Sequence, residues 1–367
     1  MTAFNCQETN DLLYEPLEGV ERLENYQKGG YHPIKIGDHF QGRYQVVHKL
    51  GYGSYSTTWL ARDEQSHKYV AVKVCTANSN LKEVDIISAL ESPRFSIHNP
   101  AKEMVPSVLD TFTVHGPNGS HACYVTTSAR ASLSQVKDGS WIRLFQLDFA
   151  RSLAAQLVVV VNYVHAQGIV HGDLHLGNIL LKQIYAKYGA PELGPVVLFD
   201  GKPLPPGVPS HGIAPIWLGA ASEDIKYESR APLILRPPEV RFKPDKPLSF
   251  ASDIWILACT IWSIIAQRPL FEGKWEGRHE SFSEDGTPLK RNPFRSWNDR
   301  FEDSVQEPRQ NEGMPLVDVS EKAAIFDMLR PMLSFRPEDR PTTQEILESE
   351  WMVKWALPEY GKIRNDV

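Results

Sequence analysis

The chain has 367 residues, 42% apolar and 23% charged, with a net charge of −6. That length can bury a large core in two lobes or domains, and the acidic balance argues against a broad nucleic-acid surface, so no direct nucleic-acid partner is expected. Cys6, Cys75, Cys123 and Cys259 lie far apart and form no CxxC pair, which argues against a disulfide framework or zinc site and fits a reducing compartment.

The first residues lack a basic region followed by an apolar run, the mark of a secretory signal. Residues 1–40 are polar and aperiodic and read as an N-terminal extension. From Tyr44, "RYQVVHKLG", "TTWLARD" and "KYVAVKVC" alternate like strands with turn residues between them, an antiparallel meander. "LKEVDIISAL" reads as a short helix and "HACYVTT" as another strand, which makes residues 41–130 a small β-rich lobe. From Leu147 the period changes: Leu153, Leu157, Val160, Val161 and Val164 share a helical face, with Gly168 as the stop. "SDIWILACTIWSIIAQ" is apolar nearly all round, a central helix with Ser252 as N-cap. The apolar runs fall short of the roughly 20 residues of a membrane span, so no membrane partner is expected. Amphipathic helices return in "EKAAIFDMLRPML" and "TTQEILESEWM", giving a helical part over 131–357 and a tail at 358–367.

Three motifs carry chemistry. "LGYGSYSTTWLA" sets Gly51 and Gly53 between two strands. Glycines there let backbone N–H groups approach phosphates, although Gly-X-Gly is also an ordinary hairpin turn. Lys73 sits inside an apolar strand, where its ammonium needs a partner or must snorkel to water. A phosphate plus the carboxylate of Glu83, on the next helix, would serve. "VHGDLHLGNILL" reads as a short loop entering a buried strand. Its Asp173 can orient and deprotonate an attacking hydroxyl, and Asn178, five residues on, can ligate a metal. In this order and spacing the set points to phosphoryl transfer from a nucleotide.

"HGDLHLGN" alone resembles the aminoglycoside and choline phosphotransferases. The longer stretch "ENYQKGGYHPIKIGDHFQGRYQVVHKLGYGSYSTTWLARD" resembles the entry to SR-protein kinases, serine kinases acting on Arg/Ser-rich splicing factors. "LILRPPEVRF", "SDIWILACTIW" and "FRPEDRPTTQEILESEW" resemble their later segments, so the similarity runs from about Asn25 to Trp351 and is nearest the divergent fungal branch. The resemblance implies an α+β, two-lobed protein kinase fold, with a small β-rich N-lobe, a larger mainly helical C-lobe and ATP between them. It implies Asp173 as catalytic base, Lys73 paired with Glu83, His175 at the γ-phosphate and Asn178 on magnesium. Leu50, Gly51, Gly53, Thr58, Ala71, Lys73, Thr127 and Ala129 would surround the nucleotide, with Thr126 as gatekeeper. Glu239 and Arg340 would form a buried pair, and Asp253 would hold the catalytic loop by backbone hydrogen bonds. Arg/Ser-rich protein substrates, a monomer, and residence in cytoplasm and nucleus are likewise implied.

Several residues depart from the family pattern. Ser56 replaces the third glycine, Thr58 a valine against adenine, and His175 a lysine, which makes the γ-phosphate contact weaker and pH-dependent. Lys73 and Glu83 are ten residues apart, so the start of the intervening helix looks trimmed. Asp-Phe-Gly, whose Asp ligates the nucleotide metal, does not occur. Either Asp200 in "VVLFDG" substitutes, or the magnesium segment is deleted beside an insert at "DGKPLPPGVP"; the second reading is preferred. Magnesium binding is therefore expected to be poor, and a pseudokinase binding module is the alternative to an active kinase. Gly172 stands where many kinases carry an Arg that reads a phosphorylated activation loop, so no dependence on such phosphorylation is expected. The acidic stretches "SEDG" (283–286) and "RFEDSVQEP" (300–308) are either docking points for Arg-rich peptides or solvated loops.

Overall fold

A computed structural model describes residues 14, 17, 20–79, 82–91, 100–182, 193–195, 208, 211–213, 235–239, 248–271 and 295–365. The chain divides into two compact units, one of Met1–Glu91, Pro106–Ala131 and Leu181–Ser229, the other of Ser92–Val105, Ser132–Leu180 and Arg230–Val367.

The first unit is built on a six-stranded sheet of β1 (His39–Phe40), β2 (Tyr44–Gly53), β3 (Ser56–Asp63), β4 (Lys68–Cys75), β5 (Val108–Gly116) and β6 (Gly119–Thr127), in the order β1-β2-β3-β4-β6-β5. Every pairing is antiparallel. Side chains alternate between faces along each strand. Val46, Trp59, Ala61, Val70, Val72, Val74, Cys123 and Val125 fill one core with Ile34, Phe40 and Tyr44. On the opposite face Cys75 and Tyr124 meet Ile87 of helix α1 (Lys82–Glu91). Strand β5 goes beyond the strands anticipated from sequence; it is an edge strand whose residues alternate between half-buried and exposed, with Leu109 in water. The aperiodic N-terminal stretch is also packed: Tyr14, Leu23, Tyr26 and Tyr31 form an apolar cluster with Leu17, Val20 and Val208. Irregular backbone spaces its anchors irregularly, so no period announces them.

In the second unit helix α2 (Leu133–Asp138) follows a reciprocal Ser132–Gln135 capping box. Helix α3 (Leu147–Ala166) buries Leu153, Leu157, Val161 and Val164 as expected, with Val158 in place of the half-buried Val160. Gly168 ends the helix at φ +81, a left-handed geometry that suits glycine. At 20 residues α3 is longer than the apolar run suggested and is long enough to cross a membrane. In this unit it instead packs against α4 (Phe250–Ile265) and the helices Thr343–Leu347 and Leu357–Asn365. Helix α4 is capped by Ser249 rather than Ser252; Ser252 sits three residues in and completes a capping box. The helix Val319–Met332 starts at an Asp318 cap. Its Glu321 is fully buried and accepts from Arg151 Nε at 2.8 Å and from Trp351 Nε1 at 3.1 Å.

Candidate active site

The sheet register gathers the first unit's candidates. Gly51 pairs with Thr58, Thr58 with Lys73 and Lys73 with Tyr124. Residues directly opposite one another share a face, as do i and i+2. Gly51, Thr58, Ala71 and Lys73 therefore lie together on the face away from the Trp59 core, the face on which α1, carrying Glu83, packs. The Lys73 ammonium is 5.5 Å from the Tyr124 ring centroid. Leu50 is the extra residue of a β-bulge between the pairs Lys49–Trp59 and Gly51–Thr58; bulges re-aim side chains and sharpen twist. The strand ends at Gly53, which pairs with Ser56 across a tip of Ser54 and the exposed Tyr55. Among the described residues, a Cβ on Gly51 would meet nothing within 4 Å. Thr126 pairs with Ala71, Thr127 ends β6, and Ala129 opens the next strand.

In the second unit the 170–178 loop is an ordered hydrogen-bonded device. Asn178 Nδ2 donates to the Asp173 carbonyl at 2.7 Å and to Asp173 Oδ2 at 2.9 Å. The amide nitrogen is thereby committed to Asp173, and its oxygen becomes the face that can meet a hard cation. Asp173 keeps more than half of its side chain exposed. His175 Nδ1 accepts from the Gly177 N–H at 3.1 Å and caps the short 3-10 turn Leu176–Asn178. Its Nε2 stands 3.6 Å from Asp173 Oδ1. Burial lowers the His175 pKa; Asp173 opposes the shift and His171 adds to it, so burial favours the neutral ring. The loop leads into the strand Leu180–Lys182, whose Leu180 is exposed rather than buried as the flanking apolar residues suggested.

Beneath the loop lies Asp253 in α4, with no exposed surface. It accepts from His171 N at 2.7 Å and Gly172 N at 2.8 Å, and from His165 Nε2 at 2.9 Å. Gly172 has φ +76, a region that side-chain-bearing residues rarely adopt, so glycine here serves loop geometry as well as lacking a phosphate-reading side chain. Thr260 Oγ1 also donates to the Leu174 carbonyl at 3.1 Å. The expected Glu239–Arg340 pair is made by two 2.8 Å hydrogen bonds, with the Arg340 side chain fully buried and Ser252 Oγ donating to Glu239 at 2.9 Å. Burial pushes the Glu239 carboxyl up, but the hydrogen bonds from Arg340 and Ser252 hold it below its usual range. Asp200, the insert apart from Val208, and the stretch 283–286 lie outside the described residues. Sequence reasoning missed His165 as a partner of Asp253, since a histidine on a helix carries no signal of what lies 88 residues away.

A β-sheet unit carrying a glycine hairpin and a strand lysine, and a helical unit carrying the Asp173–Asn178 loop, together define the protein kinase fold. Residues 44–189 match the family model of the protein kinase domain. A serine/threonine protein kinase of Aspergillus fumigatus is 26% identical over 91% of this chain and 90% of its own length. Human SRSF protein kinase 3 is 37% identical over 46% of this chain, and serine/threonine-protein kinase spk-1 of Caenorhabditis elegans is 34% identical over 47%. Those two matches span 31% and 18% of the relatives' own lengths. The chain is similar to a serine/threonine protein kinase over most of its length and to the SR-protein kinases over about half of it.

Proposed function

We propose that this kinase uses ATP to phosphorylate serines in Arg/Ser-rich proteins, with weak reliance on magnesium. The observation that carries the transfer reading is the Asp173–Asn178 hydrogen bond at 2.9 Å in a loop held by Asp253. It presents one carboxylate to a substrate hydroxyl and one amide oxygen to a cation. In the transfer, Asp173 accepts the serine hydroxyl proton, the serine oxygen bonds to the γ-phosphorus, and the bridging bond to ADP breaks. In the first unit, Gly51, Gly53 and Lys73 would receive phosphates, and Leu50, Thr58, Ala71, Thr127 and Ala129 the base; Glu83 would pair with Lys73. Magnesium, when bound, neutralises phosphate charge, and the Asn178 oxygen fits it as a neutral ligand.

A surface of the second unit supports a basic substrate. Trp141, 79% exposed, lines a groove with Arg268, Asp303, Glu307 and Glu312. Asp303 is already paired with Arg295, and Glu302 with Lys322 at 2.7 Å. The acidic charge on offer to an Arg-rich peptide is therefore mainly that of Glu307 and Glu312, set against Arg268, with Trp141 as a stacking surface for guanidinium groups.

The second reading, a pseudokinase that binds without transferring, is favoured by neutral His175 where a cation would help the γ-phosphate. Transfer of labelled phosphate from ATP to an Arg/Ser-repeat peptide, by wild type, Asp173→Asn and Asp200→Ala, with and without magnesium, separates the two. Transfer lost in Asp173→Asn supports the enzyme. ATP binding without transfer supports the module. Strongly magnesium-dependent activity lost in Asp200→Ala would make Asp200 the metal ligand and overturn the weak-magnesium reading.

A further inference from the structure

The N-terminal segment has contacts that the catalytic reading does not use. Lys49 lies on β2 just before the Leu50 bulge and is 1% exposed. Its ammonium pairs with Glu21, 3% exposed, and stands 5.4 Å from the centroids of both the Tyr52 and Trp59 rings. The Tyr26 hydroxyl donates to the same carboxylate. A lysine buried in a strand without such a carboxylate would be strongly unfavourable, so the path of β2 up to Gly51 depends on Glu21.

The tip of the hairpin is held as well. The Tyr31 hydroxyl donates to the Gly53 carbonyl at 2.7 Å, and its ring packs on Tyr26 at 5.4 Å. Two residues on, the Tyr55 carbonyl accepts from Thr76 N at 2.8 Å and Ser79 Oγ at 3.2 Å. That turn is tied back to the same segment: Ala77 N donates to the Gly30 carbonyl at 3.1 Å, and Asn78 N to the Gly29 carbonyl at 3.0 Å. The carbonyls on both sides of Ser54 are thus held, one directly and one through the 76–79 turn. The two glycines make the approach possible. Gly29 has φ +85 and a Cβ there would sit 2.2 Å from the Asn78 side chain, while a Cβ on Gly30 would sit 1.9 Å from the Asn25 carbonyl oxygen of the segment's own turn.

We propose that residues 20–32 are a positioning clamp for the glycine hairpin. Glu21 acts through Lys49, and Tyr31 through the Gly53 carbonyl, to hold the Gly51–Gly53 backbone in the form that receives nucleotide phosphates. Glycine loses more conformational freedom on ordering than any other residue, so a hairpin restrained beforehand loses less of it when a ligand binds. The consequence for nucleotide affinity rests on the ATP reading above; the restraint itself rests on the contacts alone. Glu21 and Tyr31 are positioning residues.

The test uses the full chain as wild type, Tyr31→Phe and Glu21→Gln. Tyr31→Phe keeps the ring against Tyr26 and deletes one donor. Amide exchange over 51–58 without nucleotide, the melting temperature, and the Kd of a fluorescent ATP analogue are measured on each. In Tyr31→Phe the hairpin amides should exchange about fivefold faster, the equivalent of one hydrogen bond's net contribution. The Kd should weaken by a similar factor, while β4 and β6 keep their protection. Exchange unchanged in both variants, or accelerated evenly across the sheet, overturns the clamp. A wild type that fails to bind the analogue refutes the ATP reading, and the exchange result then decides the clamp by itself.

Discussion

Asp253→Asn changes one atom beneath the 170–178 loop, and its cost follows from the geometry. Oδ2 of Asp253 accepts from His171 N and His165 Nε2, and Oδ1 accepts from Gly172 N. Asparagine has one acceptor oxygen and a donating NH2. Even in the better orientation the NH2 faces the Gly172 N–H, which loses its acceptor in a site with no exposed surface. A hydrogen bond to a charged group contributes ~1.5–3 kcal/mol, and an orphaned buried donor costs ~1–3 kcal/mol. The two remaining bonds also weaken as the acceptor loses its charge. Loop opening should become easier by about 3 kcal/mol, or about 100-fold at ~1.4 kcal/mol per decade. Amide exchange resolved at His171 and Gly172, beside α4 amides and a urea titration, measures it. The expected outcome is rapid exchange at 171–172 with α4 still protected, and loss of phosphate transfer. Protection at Gly172 unchanged within threefold, or lost equally throughout α4, would refute the claim that Asp253 holds the loop.

Three further outcomes are expected. Arg340→Met leaves the Glu239 carboxylate without its main partner, and urea denaturation should show a loss of about 3 kcal/mol, the scale of a broken buried pair; a loss below about 1 kcal/mol contradicts the pair's role. Gly30→Ala must move either its own backbone or the Asn25 carbonyl, so the first unit's melting transition should fall by several degrees or more; an unchanged transition would contradict the close approach. His175 is neutral above its lowered pKa and gains charge only as pH falls through it. The unfolded ring binds its proton more readily, so the folded state is favoured above the unfolded pKa of 6.5 and loses that advantage as pH drops. His175→Lys should then tighten ATP binding about tenfold at pH 7.5, the scale of one charge-assisted contact, and the gap to wild type should narrow toward pH 5. A gap independent of pH would show that His175 protonation does not reach the phosphates.

The local pattern already held the alternation of β2, β3 and β4, the helical faces of α3 and α4, and the spacing of Asp173 and Asn178. Each follows from stereochemistry acting over a few residues, where a side chain's neighbours are set by the period of its own backbone. Only the tertiary structure decided which partners meet. Tyr31 finds Gly53 from 22 residues away, Lys49 finds Glu21 from 28, and His165 finds Asp253 from 88. Helix α4 shows the division within one motif. The run after Ser252 announced a buried helix, but Ser249 caps it, while the Ser252 hydroxyl donates to Glu239, itself held by Arg340 from 101 residues on. Periodicity reports that a residue is buried; which distant group satisfies its polar atoms is settled when remote segments pack.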